Sequence, residues 1–424
     1  MHALTQLIKE DMKPALGVTE PGAIAFAVSK ARSYIDGDLK EVAVTLNSGM
    51  YKNAFTCGIP GSHHYGNLYA AALGVLYADP EKGLESLEGL PTSADEEART
   101  LLDSGIVRVS LGEITSDIAI DAEVVTENGR AAVFIRGSHT NIVKIIRNDE
   151  VLFEKEHTAE SASKDEDIPL IHHYTLHDFI EYAKEVPAEE LDFIREAYRV
   201  NLHLLDVGLA SDRTPYARYL YEKNGNRILS EDELTSAQLL CNGAIEARVI
   251  GLNAPAMSIT GSGAHGIIAT LPLYGVAAHR ELPVEKLLRA TALSYLVCTY
   301  IKEYSGRLSA FCGCAIAAGT GMACGLLFLE DAEEDAYERC IRNMASSITG
   351  MICDGGNHGC AMKGVVAVDA AFRSRDMALA GVAIEDIHGI NGATPEETMR
   401  NMGRIASPGM VKTEETILDI MTEK

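Results

Sequence analysis

The chain is short of positive charge. Its 424 residues carry 37 Lys and Arg against 61 Asp and Glu, a formal net charge of −24. So acidic a surface repels both a phosphate backbone and an anionic membrane face, which argues against nucleic-acid binding and against membrane association. The start, MHALTQLIKEDMKPALG, has no basic patch followed by an apolar run and no small-residue cleavage site, so the sequence predicts a cytoplasmic protein. Regular cysteine spacing is missing as well. Nine cysteines make an odd total; only Cys57 and Cys241 precede Cys298, and the rest crowd between Cys298 and Cys360. In a reducing compartment such crowding points to metal binding or thiol chemistry rather than disulfides. Repeats of fixed period and low-complexity tracts are also absent. One uncharged stretch, Leu308 to Leu329, is long enough to span a bilayer at ~20 residues. It is rich in Gly, Ala, Cys, Ser and Thr, stands alone, and is bounded by Arg307 and Glu330 without a basic-side bias, so it reads as a helix packed all round inside a globular domain.

What is present supports a large core. The hydrophobic content is 47%, and the length suggests two or so domains at ~150 residues each. Residues 1–160 read as a mixed α+β domain. Pro21 to Ile35 is Ala-rich and helical, and KEVAVTLNS alternates Val42, Val44 and Leu46 with polar or small partners as a half-buried strand does. Period-two stretches recur at Ile106–Leu111, Asp117–Thr126, Ala131–Arg136, Asn141–Ile146 and Glu150–Glu154, with Asn128-Gly129 and Asn148-Asp149 as hairpin turns, and predict an antiparallel sheet. The charged segment from Glu154 to Pro169 reads as a surface connection. From 168 to 424 the pattern is helical throughout, over Ala188–Leu205, Glu231–Ile250, Val284–Tyr304, Asp335–Met351, Cys360–Ala380 and Glu414–Met421. The fold class is α+β, an N-terminal domain with an antiparallel sheet followed by a mostly helical C-terminal domain.

Two glycine-rich elements stand out. In GMICDGGNHGCAMKG, from Gly350 to Gly364, Gly355 and Gly356 can end a helix after Cys353, and the next helix can start near Cys360, placing both thiols at one loop. A helix N-terminus favours the ionised form of Cys360, and thiolates bind soft metals and iron-sulfur clusters. The spacing matches neither a zinc finger nor a ferredoxin run, so two buried core thiols is an equal reading. The Cys312-Gly-Cys314 step could supply a third thiol, although its small neighbours also suit tight packing. The second element, ITGSGAHGIIATLP, fits G-x-G-x-x-G at Gly261, Gly263 and Gly266, but the preceding EARVIGLNAPAMS does not read as a parallel core strand. A backbone nest for a small anion such as a substrate carboxylate, opening onto a helix N-terminus with His265 alongside, suits it better. GSHTNIV places His139, Thr140 and Asn141 between two strands, and MYKNAF places Lys52 and Asn53 beyond another, where the plainer role is that of turn residues.

Together these segments resemble the L-cysteine desulfidase family, which is distantly similar to the iron-sulfur L-serine dehydratases. The resemblance runs through KPALGVTEP, YKNA, GSHTNIV, PAMS with the following GSG, RLSAFCG and GMICDGGNHGCAMK. It implies a [4Fe-4S] cluster on Cys312, Cys353 and Cys360, with Cys314 not a ligand, and β-elimination of L-cysteine to pyruvate, ammonia and sulfide. Elimination of water from serine or another small hydroxy acid is the alternative. It also implies substrate contacts from Glu20, Lys52, Asn53, Thr140, Asn141, Gly261, Ser262 and Gly263. The chain departs from the family at two places. Relatives read G-C-T-E-P, with the cysteine as base, where this chain has Val18; and they read N-S-G-S-G-N-Q-G where it has Ile259, Thr260, Ala264 and His265. A valine cannot move a proton. The departures imply a different substrate, a base relocated to His265 and after it His139 or His358, or a non-catalytic paralogue. The large apolar content also suggests a homodimer.

Overall fold

A computed structural model describes residues 1–155, 168–306 and 308–424. Most of the connection expected between Glu154 and Pro169, and the Arg307 flank, lie outside the described residues. In chain order the N-terminal region runs α1 (Ala3–Asp11), β1 (Lys13–Leu16), α2 (Thr19–Arg32), β2 (Leu39–Leu46), α3 (Ser48–Ala54), α4 (Asn67–Tyr77), α5 (Ala94–Asp103), β3 (Val107–Leu111), β4 (Ala119–Thr126), β5 (Gly129–Arg136), β6 (Ile142–Arg147) and β7 (Glu150–Glu154). The helical region comprises α6 (Leu176–Glu185), α7 (Arg195–Ala210), α8 (Pro215–Lys223), α9 (Glu233–Val249), β8 (Pro255–Ser258), α10 (Gly263–His279), α11 (Val284–Ser305), α12 (Gly319–Leu329), α13 (Glu334–Ile348), α14 (Gly359–Leu379), α15 (Pro395–Arg404) and α16 (Val411–Thr422).

The alternating pattern becomes a six-stranded sheet in the order β3-β2-β4-β5-β6-β7. Val42, Val44 and Leu46 all turn inward, as a period of two requires. Asn148 takes a left-handed φ of 53° where β6 turns into β7. The sheet is not wholly antiparallel: β3 lies parallel to β2, Val42 opposite Val107. The chain between them passes through α3, α4 and α5, and so can return to the starting end before β3 begins. Nor is the region after 168 wholly helical, because β8 pairs antiparallel with β1, Lys13 opposite Ser258. That two-stranded ribbon ties the start of the chain to the helical region.

The uncharged stretch after Leu308 becomes a single π-type turn (Cys314–Ala318) running into α12, every residue of which is buried. Among the described residues no helix is long and apolar enough to cross a membrane. Beneath this region a buried ion pair joins the two ends of the chain. Lys52 on α3 is fully buried, and its Nζ donates to Glu414 Oε2 on α16 at 2.6 Å and to the Ser309 carbonyl at 2.9 Å. This corrects the expectation of Lys52 as a substrate contact, since its ammonium is spent on α16 and on the segment leading to Cys312. Removing one partner of a buried pair strands the other. Glu414→Ala should therefore cost about 3–5 kcal/mol of unfolding free energy in urea, and Lys52→Met with Glu414→Leu distinctly less.

Candidate active site

Backbone pairing brings the cysteine segments together. Phe311 and Ile352 form an antiparallel bridge, flanked by Cys312 N–H to Met351 O (3.0 Å) and Cys353 N–H to Ala310 O (2.6 Å). Residues next to a bridge point to the face opposite the bridged pair, so Cys312 and Cys353 project to the same side. The helix expected to run up to Cys353 in fact ends at Ile348, because Ile352 is needed for this bridge. The loop then turns at Gly355, whose φ of 99° is left-handed and where a Cβ would sit 2.4 Å from the Lys52 carbonyl oxygen. Asn357 Oδ1 accepts from Gly359 N–H, and α14 starts with Cys360 in its first turn.

Four thiols meet here. Cys312 hydrogen-bonds Cys314 and lies within electrostatic reach of Cys353 and Cys360. Of the Cys312–Cys314 pair the negative charge settles on Cys314, favoured by the hydrogen bond from Cys312 and, against the cost of burial, by His265 and Arg248. Burial and the neighbouring Cys314 and Cys353 push Cys360 up to about 12. A cavity of about 140 Å³ opens beside Cys314, Cys353 and Cys360. Three helix N-termini converge on it, those of α2 through Thr19 and Glu20, of α10 through Ala264 and His265, and of α14 through Cys360. Their dipoles and the cations Arg248 and Lys302 face the same cavity as the Glu20 carboxylate. Val18, at the position of the family's cysteine, lines the cavity with an inert side chain.

Glu20 is the carboxylate in the lining. Asn53 Nδ2 donates to its Oε1 at 2.9 Å, Thr19 Oγ1 to its Oε2 at 3.2 Å, and His139 Nε2 stands 3.9 Å from Oε1. Burial alone would raise its pKa, but His139, Asn53 and Arg248 together hold it down at about 2. The folded value lies below the unfolded 4.5, so ionised Glu20 stabilises the fold above pH 4.5 and that contribution disappears as pH falls towards 2. At 1.36 kcal/mol per pH unit it is worth about 3 kcal/mol. Unfolding free energies at pH 6 and pH 3 should therefore fall further for the wild type than for Glu20→Gln.

The glycine-rich segment is a tight turn closed on itself, with Ser262 N–H donating to Ile259 O at 3.1 Å and Thr260 N–H to Asp11 Oδ2 at 2.6 Å. Thr260 and Gly261 are both left-handed, with φ of 52° and 72°, and Ser262 is the N-cap of α10. Gly266 serves packing, since a Cβ there would come within 1.9 Å of the Met257 carbonyl oxygen on β8. His265 is buried. Its Nδ1 faces the Thr260 hydroxyl, and that hydroxyl already donates to Ile259 O at 2.7 Å. Nε2, the other ring nitrogen, is directed at Gly313 and at Cys314, whose negative charge the ring favours.

The structure thus gathers Glu20, Asn53, His139, Gly261, Ser262, His265, Cys353 and Cys360 around one cavity, with Cys312 behind Cys314 and Gly263 opening α10. It places four expected residues elsewhere. His358 turns outward, its Nδ1 3.2 Å from Glu246 Oε1, a carboxylate that also accepts from the first backbone N–H groups of α8. Lys52 faces Glu414. Thr140 is exposed, and Asn141 spends its amide on Arg136 O and Lys155 Nζ. Sequence reasoning missed Arg248 and Lys302. Arg248 reads as an ordinary cation near a helix C-terminus, and Lys302 interrupts the apolar face of α11 without any motif around it.

A cluster carried by thiolates can be tested against this donor set. Among the described residues no three His, Cys, Asp or Glu side chains close around a single-ion position. The thiols nevertheless converge from two segments, Cys312–Cys314 and the Cys353–Cys360 loop, into one desolvated space. A four-iron cluster distributes its ligands over different irons and so asks for wider spacing than one ion does. In donor chemistry the residues fit such a cluster.

Residues 82–419 match the serine dehydratase alpha chain family. The chain belongs to that family. This member is also similar along its length to proteins named UPF0597 protein. One from Clostridium botulinum (strain Langeland) is 40% identical over 427 residues, covering 100% of this chain and 99% of its own. Those of Caldanaerobacter subterraneus and Geobacter sulfurreducens are 36% and 35% identical, covering 99% and 100% of this chain and 98% and 99% of their own. Family membership agrees with the resemblance drawn from the cysteine motifs. It supports a serine dehydratase-like iron-sulfur lyase at most, and the relatives' names carry no substrate.

Proposed function

We propose that this serine dehydratase alpha-chain family member is a [4Fe-4S]-dependent lyase that removes a β-substituent from a small acid, with L-cysteine as the default substrate. It would work in the cytoplasm, as a homodimer. The observation that supports the reading is the gathering of Cys353 and Cys360 on one cavity, with Cys312 behind Cys314 and within electrostatic reach of both, beside the His265 imidazole. When bound by those thiolates, the cluster supplies a Lewis acid for the leaving sulfur or oxygen. The chain's own residues do the rest. The N-terminus of α10, which opens next to Gly261 and Ser262, holds the carboxylate. His265 Nε2 takes the α-proton, in place of the thiol that Val18 lacks. Departure of sulfide leaves an enamine, and its tautomerisation and hydrolysis give pyruvate and ammonia.

Dehydration of serine uses the same groups and differs only in the atom that leaves. The non-catalytic reading is favoured by one observation, the isopropyl group of Val18 where relatives carry a base. Reconstitution without air, followed by a screen of cysteine, serine and small hydroxy acids for released sulfide and 2-oxo acid, separates the three. The expected result is a brown protein with acid-labile sulfide that turns over cysteine. A colourless protein with stoichiometric zinc overturns the cofactor, and a stable cluster without turnover of any of these acids overturns the enzyme.

A further inference from the structure

Lys52 is a fully buried charge outside the cavity lining, and the lyase reading gives it no task. Replacing a buried pair such as Lys52 and Glu414 with apolar side chains of similar volume often costs nothing, so attraction alone does not account for it. What the pair offers beyond an apolar contact is direction. Nζ serves Glu414 Oε2 and, with a second proton, the carbonyl of Ser309 in the segment that leads to Cys312. Ser309 has little else to hold it. Its hydroxyl has no hydrogen-bond partner among the described residues, and a cavity of about 70 Å³ lies against it.

The same turn of α3 grips the other cysteine segment. The Asn53 carbonyl accepts from Gly356 N–H at 3.1 Å, and Gly355 lies against the Lys52 carbonyl too closely for any side chain. Towards the first segment α3 is just as close, since a Cβ on Gly49 would sit 2.5 Å from Leu308 Cβ. α16 backs that segment as well, with Ile417 and Met421 packed on Ala310 in a small cluster apart from the main core. The bridge between Phe311 and Ile352 joins the two segments at one point. α3 holds each of them at a second point, which fixes the angle between them as well as the contact.

We propose that Lys52 is a positioning residue: through the Ser309 carbonyl it sets how Cys312 stands relative to Cys353 and Cys360, while Glu414 keeps its ammonium in place. Its effect is carried by the backbone, because its side chain does not reach the cavity. The inference rests on the lyase reading for the claim that these three thiols share one cluster. Groups that hold metal ligands from behind govern affinity by about 10–100-fold, and Lys52 acts one step further back, at 2.9 Å from a carbonyl of the ligand's own segment.

Lys52→Met combined with Glu414→Leu tests this, because the double variant leaves no orphaned charge in the core yet loses the bond to Ser309. With its fold checked by urea unfolding, it should release iron to a chelator in the absence of air about 10-fold faster than the wild type, and the g-values of its reduced cluster should shift. In protein freed of its cluster, iodoacetamide should label Cys312, Cys353 and Cys360 about 10-fold faster than in the wild type, with Cys324 on α12 and Cys340 on α13 unchanged. Lys52→Arg keeps donors for both acceptors and should stay close to the wild type in each readout. Wild-type iron release and labelling in the double variant overturn the inference. So does an equal rise in labelling at Cys324 and Cys340, which is general loosening, and so does a Lys52→Arg protein that loses iron as fast as the double variant. A wild type that holds no iron sinks the lyase reading alone, because labelling is read on protein without a cluster and still decides whether Lys52 orders the cysteine segments.

Discussion

Cys353→Ser and Cys360→Ser should each leave the anaerobically reconstituted protein without its brown chromophore and acid-labile sulfide, and lower lyase turnover by at least ~10³-fold, the scale of losing a Lewis acid worth several kcal/mol. Serine is nearly isosteric, and the backbone contacts that place these residues involve N–H and C=O groups which the exchange keeps, namely Cys353 N–H to Ala310 O and Cys360 N–H to Asn357 O. Loss of colour would therefore report lost ligation rather than a collapsed loop. The informative control is Cys314→Ser. Cys314 lies closer to the cavity than Cys312 and shares a hydrogen bond with it, so geometry alone does not separate the two. The family resemblance assigns the ligand to Cys312. Under that assignment Cys314→Ser keeps the chromophore and Cys312→Ser loses it. The reverse result would move the third ligand by two residues, and retention of colour in both Cys353→Ser and Cys360→Ser would remove the cluster altogether.

The sheet, most helices and the cysteine loop could be read in advance because each is a local pattern. Period-two alternation marks β2 to β7, and a Gly-Gly pair before Cys360 marks a turn into a helix. What stayed hidden depends on partners remote in sequence. β1 and β8 are four residues each, both contain proline, and they find each other across the whole N-terminal region. The YKNA segment was recognisable, yet Asn53 reaches Glu20 while Lys52 reaches Glu414. Adjacent helical residues point ~100° apart, so a motif identifies a turn of helix without saying which of its side chains meets the ligand. The same holds for GGNHGC, where Cys360 turns to the cavity and His358 to Glu246. Arg248 was invisible for a different reason. Its Nε is buried without a hydrogen-bond partner among the described residues, and only a three-dimensional arrangement can show that.

His265→Asn should lower kcat by about 10²–10⁴-fold while leaving the cluster's absorbance intact, the expected loss for a general base. Asparagine can still hydrogen-bond the Thr260 hydroxyl, so the turn should keep its shape and the KM should change little. The stronger test uses the position that the family employs. Val18 lines the cavity, and its Cγ1 lies 3.3 Å from where a Gly356 Cβ would be, so a side chain there already touches the cysteine loop. Val18→Cys exchanges a branched apolar group for a smaller thiol at the N-cap of α2, where the helix dipole favours a thiolate. If the base has moved from residue 18 to residue 265, Val18→Cys should restore a measurable part of the turnover lost in His265→Asn and add little to the wild type. A His265→Asn protein that keeps its turnover would exclude His265 and pass the role to His139, the other histidine lining the cavity. Its ring stands beside Glu20, so there the proton would be taken next to a carboxylate that is already ionised.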